Sequence, residues 1–382
     1  MITATYSKFI SRFIALIMTV IASFGMFVPS ATKNASDYRD TNIKNVIFLI
    51  GDGMGFNHLE KTKIEQRRAL HMETFPYKGS SRTRSLTDLV TDSAAGGSAL
   101  ATGIHLANET VGVFYTDKEG ESYVPKNLSE YFKEKGKSTG IVTTDLTTGA
   151  TPSDFSAHCE SRYNNEELSL DQMASSLDLI WGSTNGFVSR DMAQQSGFTY
   201  IEDYNGLLSL APGSRSYAQF VNPTWTVTQS EPNTPNLEQM TLKAIELLNS
   251  NSNGFFLMVE GAHIDKHSHS NYNDTKKTLN MERALIEFDN TVTVALNFAK
   301  NDGHTLVVVT ADHETGGLTL DQNGNYAFTD GYHTAADVPV FVYGSDKIIA
   351  NGETVNNYDI PRRIAYATGA KENEFPCAVK VS

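Results

Sequence analysis

Six of the ten histidines, His263, His267, His269, His304, His313 and His333, fall between residues 263 and 333, interleaved with Asp265 and Asp312. Imidazole and carboxylate are the ligands zinc takes, usually three from protein where one position stays open for chemistry. Asp265 and His269 form an i, i+4 pair. Any one of these histidines alone reads as an ordinary core or surface residue; their grouping at the ends of apolar runs points to bound metal. Asp312 and His313 are adjacent, so in an extended chain their side chains point apart. Both reach one ion only if the strand has already turned, and Thr315-Gly316-Gly317 supplies such a turn.

A second feature is Thr91-Asp92-Ser93-Ala94-Ala95-Gly96-Gly97-Ser98-Ala99, a hydroxyl at the start of a small-residue helix. Ser and Asp commonly satisfy the first free amides of a helix, and capping is all this pattern requires by itself. The same geometry attracts anions, so a phosphoryl group on Ser93 would be held by backbone amides and by the helix dipole.

These residues need elements to bring them together. Asn45 to Ile50, Phe255 to Val259 and Thr305 to Thr310 are continuous apolar runs, each passing into an acid: Asp52, Glu260 and Asp312. Such runs are typical of strands buried on both faces of a parallel sheet. Helical patterns at Leu128 to Lys135, Asn236 to Leu248 and Met281 to Ala299 alternate with further strands at Thr139 to Thr143 and Val338 to Tyr343. This predicts an α/β fold, a doubly wound, mostly parallel central sheet flanked by helices. Ligands of such folds bind beyond the carboxyl ends of the strands, where Asp52, Glu260, Asp265, Asp312 and His313 would project. The stretch Trp181 to Pro235 is rich in Ser, Asn, Gln and Gly, and reads as a surface excursion rather than a domain.

Lys8, Arg12 and the apolar run Phe13 to Val28, followed by Pro29-Ser30-Ala31, read as a secretory signal peptide over residues 1–30; a single membrane anchor is the alternative. Residues 31–382 would then form one catalytic domain. Loss of Lys8 and Arg12 takes the formal charge from −13 to −15. No later segment is long and apolar enough to span a bilayer, and no Lys/Arg block suggests a nucleic-acid surface, so small solvated partners are expected. Export permits a bridge between Cys159 and Cys377 without requiring one.

Asn45 to Gly55, Asp92-Ser93-Ala94, Val259 to Lys266 and Thr310 to His313 together resemble the alkaline phosphatases, in family order from Val46 to His333. The resemblance implies metal-dependent hydrolysis of phosphate monoesters through a phosphoserine on Ser93, two Zn2+ and one Mg2+, a homodimer, and a periplasmic or secreted location. It assigns Asp265, His269 and His333 to one zinc, and Asp52, Asp312 and His313 to the other. Magnesium would share Asp52 and add Thr151 and Glu260, an all-oxygen set suited to a hard cation. Arg162 would grip two phosphate oxygens with its planar fork, and Lys266 is similar to the lysine that some bacterial members keep near the phosphate. His263, His267 and His304 hold no metal in this scheme. Two departures stand out. The family often places Asp or His two residues before the magnesium threonine, where this chain has Gly149; and only nineteen residues separate His313 from His333, where many relatives insert a crown-like subdomain, so the chain resembles a compact member.

Rival readings share the fold. A sulfatase would need a Cys/Ser-x-Pro/Ala-x-Arg signature, and the residues after Ser93 lack both the proline and the arginine. Phosphodiesterase relatives commonly use threonine as nucleophile, and a phosphomutase would have no export leader. From another class, a non-catalytic metal- or phosphate-binding exported protein would need no nucleophile between two cations.

Overall fold

In the computed structural model, residues 33–115, 122–223, 233–269, 275–320 and 325–381 are described. The signal-peptide assignment falls outside them. The main sheet has ten strands. In chain order these are β1 (Asn45–Gly51), β2 (Tyr77–Arg82), β3 (Ser138–Leu146), β4 (Leu179–Ser183), β5 (Thr199–Ile201), β6 (Ser216–Phe220), β7 (Phe255–Gly261), β8 (Thr305–Thr310), β9 (Val338–Tyr343) and β10 (Thr354–Asn356). Their spatial order is β10-β2-β9-β8-β1-β7-β3-β4-β6-β5. Every pairing is parallel except the two made by β9, which runs against both β8 and β2.

The continuous apolar runs are explained by burial on both faces. Alternate residues of β1 feed opposite layers: Ile47 and Leu49 join a core that holds Leu257, Val259, Val307 and Val309, with Met240 and Phe288 from the helices Leu237–Leu248 and Thr275–Asp302. Val46, Phe48 and Ile50 join the other, with Phe132, Phe256, Met258, Val308 and Ile364. All seven residues of β1 and of β7 are buried, which fixes the register against slippage.

The expected surface excursion is corrected by the structure. Within Trp181 to Pro235, the end of β4 with β5 and β6 builds one whole edge of the sheet, and all five residues of β6 are buried. Its polar composition misleads because the polar groups pair with each other. Trp181 Nε1 donates to Ser216 Oγ at 3.0 Å, Tyr217 Oη donates to Thr147 Oγ1 at 2.7 Å, and Gln219 Nε2 donates to Asn185 Oδ1 at 2.9 Å. A satisfied network can be buried as readily as an apolar one. Part of the stretch, 224–232, lies outside the described residues. Cys159 and Cys377 are both free thiols.

Candidate active site

The central strands end on the residues expected to do chemistry. β1 delivers Asp52, and β7 carries Glu260 opposite Ile50 of β1. The chain then turns through Ala262 into the helix His263–Ser268, so that Asp265 and the C-cap His269 lie one turn apart. Beyond β8 the chain bends at Asp312, and His313 Nε2 comes within 3.2 Å of Asp312 Oδ2, the convergence that an extended strand forbids. The short strands Glu314–Thr315 and His333–Thr334 pair antiparallel and return His333 to the site. Two glycines make these approaches feasible. At Gly53, with φ +74°, a Cβ would lie 2.8 Å from Asp265 Cα; at Gly96 it would lie 2.8 Å from the carbonyl oxygen of Asp312.

Ser93 is the first residue of the helix Ser93–Thr102, capped by Asp92, whose Oδ1 accepts from Ala95 N–H at 2.9 Å. Ser93 Oγ lies 3.1 Å from His313 Nε2. Around it the acids and histidines form two groups, Asp52, Asp312, His313 and Asp265, His313, His333, with ligand atoms within 4.8 Å of one another in each. His313 is common to both. His269 also belongs with the second: its Nε2 is 3.1 Å from Asp265 Oδ1 and 3.1 Å from His333 Nε2.

The orientation of these rings is set from behind. His269 Nδ1 bonds Gly331 O at 2.9 Å, and His333 Nδ1 bonds Thr91 O at 3.0 Å. A carbonyl only accepts, so both Nδ1 atoms carry hydrogen and both Nε2 atoms present lone pairs toward the Asp265 carboxylate. Lone pairs so close repel unless a cation or a proton lies among them. Accordingly, the hydrogen bond to Asp265 raises the pKa of His269. For His333, Asp265 raises the pKa despite the opposing effect of burial. Burial would raise the Asp265 pKa, but the two histidines hold it well below the carboxylate range. His313 is driven the other way, by burial and then by repulsion from His333, and stays neutral.

The remaining acids test whether cations fit. Asp52 Oδ1, Thr151 Oγ1, Glu260 Oε1 and Asp312 Oδ2 are all buried and accept no hydrogen bond, and each belongs to the ligand sets expected from the sequence. Burial, and then repulsion by Asp312, lifts the Asp52 pKa well above its ordinary value. Burial and Asp145 push Glu260 to about 8; burial and Asp265 push Asp312 to about 7. Buried carboxylates without partners are costly, and bound divalent cations remove that cost. The donor set fits both zinc and magnesium chemistry.

Of the other expected residues, Arg162 is held by Asp92, whose Oδ2 accepts from Nη1 at 2.9 Å. Lys266 is exposed, and its Nζ donates to Asp145 Oδ1. His263 bonds Thr144 Oγ1 at 3.1 Å, and burial followed by the nearby Lys266 drives its pKa to about 3. His304 sits at the other end of β8 and bonds Asn42 O at 3.0 Å. Sequence reading missed three contributors. Asp92 both caps the Ser93 helix and holds Arg162; its place before the serine was the available signal. Thr315 looked like a turn residue, yet its Oγ1 donates to Asp265 Oδ1 at 2.5 Å and lies 3.2 Å from His313 Nδ1. His58, wholly buried, bonds Ser268 Oγ at 3.1 Å and braces the helix that carries Asp265.

Acids and histidines converging beyond the carboxyl ends of a mostly parallel sheet, with a serine at a helix N-terminus among them, define a metal-dependent hydrolase. The family model for alkaline phosphatase matches residues 43–180 and 184–330. Alkaline phosphatase 4 of Bacillus subtilis is 32% identical over 351 residues, covering 82% of this chain and 72% of the relative. Alkaline phosphatase of Escherichia coli is 30% identical over 342 residues, covering 72% of this chain and 70% of the relative. Among solved structures, alkaline phosphatase from the Antarctic bacterium TAB5 superposes with TM-score 0.73 at 29% identity, covering 86% of this chain and 99% of that one. A histidine-to-glutamate mutant of the TAB5 enzyme, with Mg bound in its M3 site, superposes with TM-score 0.74 at 29% identity, over the same shares. The chain belongs to the alkaline phosphatase family, and its reaction is the metal-dependent hydrolysis of phosphate monoesters. Among the described residues no helix is long and apolar enough to cross a membrane.

Proposed function

We propose that hydrolysis proceeds by two in-line displacements at phosphorus with Ser93 as the nucleophile. The observation that carries this reading is the placement of Ser93 Oγ, 3.1 Å from the histidine common to both acid-histidine groups and at the head of a helix. Asp265, His269 and His333 would hold one Zn2+, Asp52, Asp312 and His313 the second, and Asp52, Thr151 and Glu260 an Mg2+. Bound there, the cations supply Lewis acidity, lowering the pKa of a hydroxyl or water and offsetting charge on the entering and leaving oxygens.

Ser93 Oγ gives up its proton and attacks phosphorus, the ester oxygen leaves from the opposite face as the alcohol, and a phosphoserine results. Arg162 spans two equatorial oxygens, and the free amides at the head of the helix face the same charge. Asp92 keeps the guanidinium in that position. Water then displaces the serine oxygen, which recovers its proton, and inorganic phosphate departs past Lys266. Two inversions give net retention at phosphorus. We also assign residues 1–30 to a cleaved leader and 31–382 to one catalytic domain, acting on small phosphate monoesters as a homodimer in the periplasm or outside the cell.

The test is hydrolysis of a chromogenic phosphate monoester from neutral to alkaline pH, with zinc and magnesium, with chelator, and by Ser93→Ala. Turnover that collapses under chelation and in the variant is expected. Undiminished turnover by Ser93→Ala would overturn the phosphoserine route, and preference for diesters would overturn the monoester assignment.

A further inference from the structure

Gly149 is a glycine with no conformational reason to be one. It caps the helix Ala150–Asp154 at φ −55° and ψ 158°, values open to any residue. The reason is spatial. A Cβ there would stand 2.5 Å from Asp145 Oδ2, 2.8 Å from Asp145 Cγ and 3.1 Å from the carbonyl oxygen of Leu146. The Asp145 carboxylate cannot simply swing aside, because Oδ1 accepts both Leu146 N–H, at 2.7 Å, and Lys266 Nζ.

Asp145 owes its position to an irregularity in β3. The ladder between β3 and β4 shifts register between Val142 and Leu146, so the strand bulges just where it reaches the site. In the bulge, Asp145 N–H donates to Thr143 Oγ1 at 2.8 Å, and that hydroxyl in turn donates to Glu260 Oε2. The other oxygen of Glu260 and the hydroxyl of Thr151, two residues beyond Gly149, are among the buried atoms left without partners.

We propose that Asp145 is a positioning residue: its side chain fixes Lys266 at the phosphate side of the site, its backbone orients Glu260 through Thr143, and Gly149 is kept small to admit it. This rests on the reading of Lys266 as a phosphate neighbour. A side chain at position 149 is thus excluded by the same carboxylate that takes over its neighbourhood. The ion pair is partly exposed, with side-chain accessibilities of 42% for Lys266 and 18% for Asp145, so its coupling is modest, roughly three- to five-fold in an equilibrium constant.

The experiment measures competitive inhibition by inorganic phosphate and Mg2+ retained per chain after dialysis, for Asp145→Asn, Lys266→Ala, the two combined, and Gly149→Ala. Asp145→Asn, nearly isosteric, is expected to change the phosphate inhibition constant roughly three- to five-fold in the native background, and by less than about two-fold when Lys266 is already alanine. Gly149→Ala should shift phosphate inhibition in the same direction as Asp145→Asn and lower retained Mg2+. An equal effect of Asp145→Asn in both backgrounds, or a Gly149→Ala enzyme unchanged in both readouts, overturns the proposal while leaving the site intact. If Lys266→Ala itself leaves phosphate inhibition unchanged, the proposal falls together with the reading of Lys266 on which it rests.

Discussion

The two halves of the site are built differently. On one side a buried Asp265 is met from the surface by two histidines: His269 is exposed, His333 is half-buried, and the outer nitrogens of both are tied to loop carbonyls. On the other, Asp52, Asp312, His313, Thr151 and Glu260 are buried, and oxygen atoms of the three acids and the threonine have no hydrogen-bond donor. The exposed half can exchange protons and water for a cation at little cost. The buried half cannot, because desolvated acids repel one another. The difference predicts that the first half sets turnover and cation exchange, while the second also sets the stability of the fold.

The largest contrast is expected between Asp312→Asn and His269→Ala. Asp312→Asn should lower kcat/KM by about 10³-fold or more and resist rescue, since it removes a negative charge from a closed environment where a cation would bind. His269→Ala should cost about 10- to 100-fold and recover partly with added zinc. Equal losses with equal rescue would erase the distinction.

Removing the cations should separate the halves by stability. Chelation is expected to lower Tm by roughly 5 °C or more, because ions that bind only the folded state stabilise it. The effect should grow with pH. In the chelated protein Glu260 and Asp312 titrate at about 8 and about 7, and burial is the first cause of both shifts. Free carboxylates titrate near about 4. Between those values the folded state holds protons that the unfolded chain has released. The contribution of these two acids to stability is therefore fully present below about pH 4 and is lost as pH rises through about 8. His269 and His333, also raised, act in the same direction. Thermal melts with and without chelator across this range should diverge steadily; parallel curves would place the acids elsewhere than in a cation-binding cluster.

The smallest effect concerns the residue that touches both halves. Thr315→Val keeps the shape but removes the hydroxyl that contacts Asp265 and His313. Zinc affinity should fall about ten-fold with little change in Tm, measurable by competition with a chromogenic chelator. A change in Tm without a change in affinity would make Thr315 a turn residue and nothing more.

What could be seen in the sequence follows from burial. β1, β7 and β8 are covered on both faces, so they appear as unbroken apolar runs, and the acids at their ends stand out. The direction of β9 could not be seen, because an apolar run is the same whichever neighbour it opposes. The edge formed by β4, β5 and β6 was hidden by Gln219, Ser216 and Asn185, polar groups that pair only once the chain has folded. Asp145 was hidden for a related reason: its partners Lys266 and, through Thr143, Glu260 lie more than a hundred residues away, and Gly149 showed as a missing side chain rather than as a space made for one.

The two acid-histidine groups draw on Asp52 and on His333, which returns to the site through the strand pair Glu314–Thr315 and His333–Thr334. No growing chain that stops short of that hairpin can complete the Asp265, His313 and His333 group, whereas the Asp52, Asp312 and His313 group needs the chain only as far as His313. Completion of the half that includes His333 therefore follows synthesis of most of the polypeptide. That half of the site stays open until the chain has folded back on itself, so a cation there would bind the finished fold and not an intermediate on the way to it.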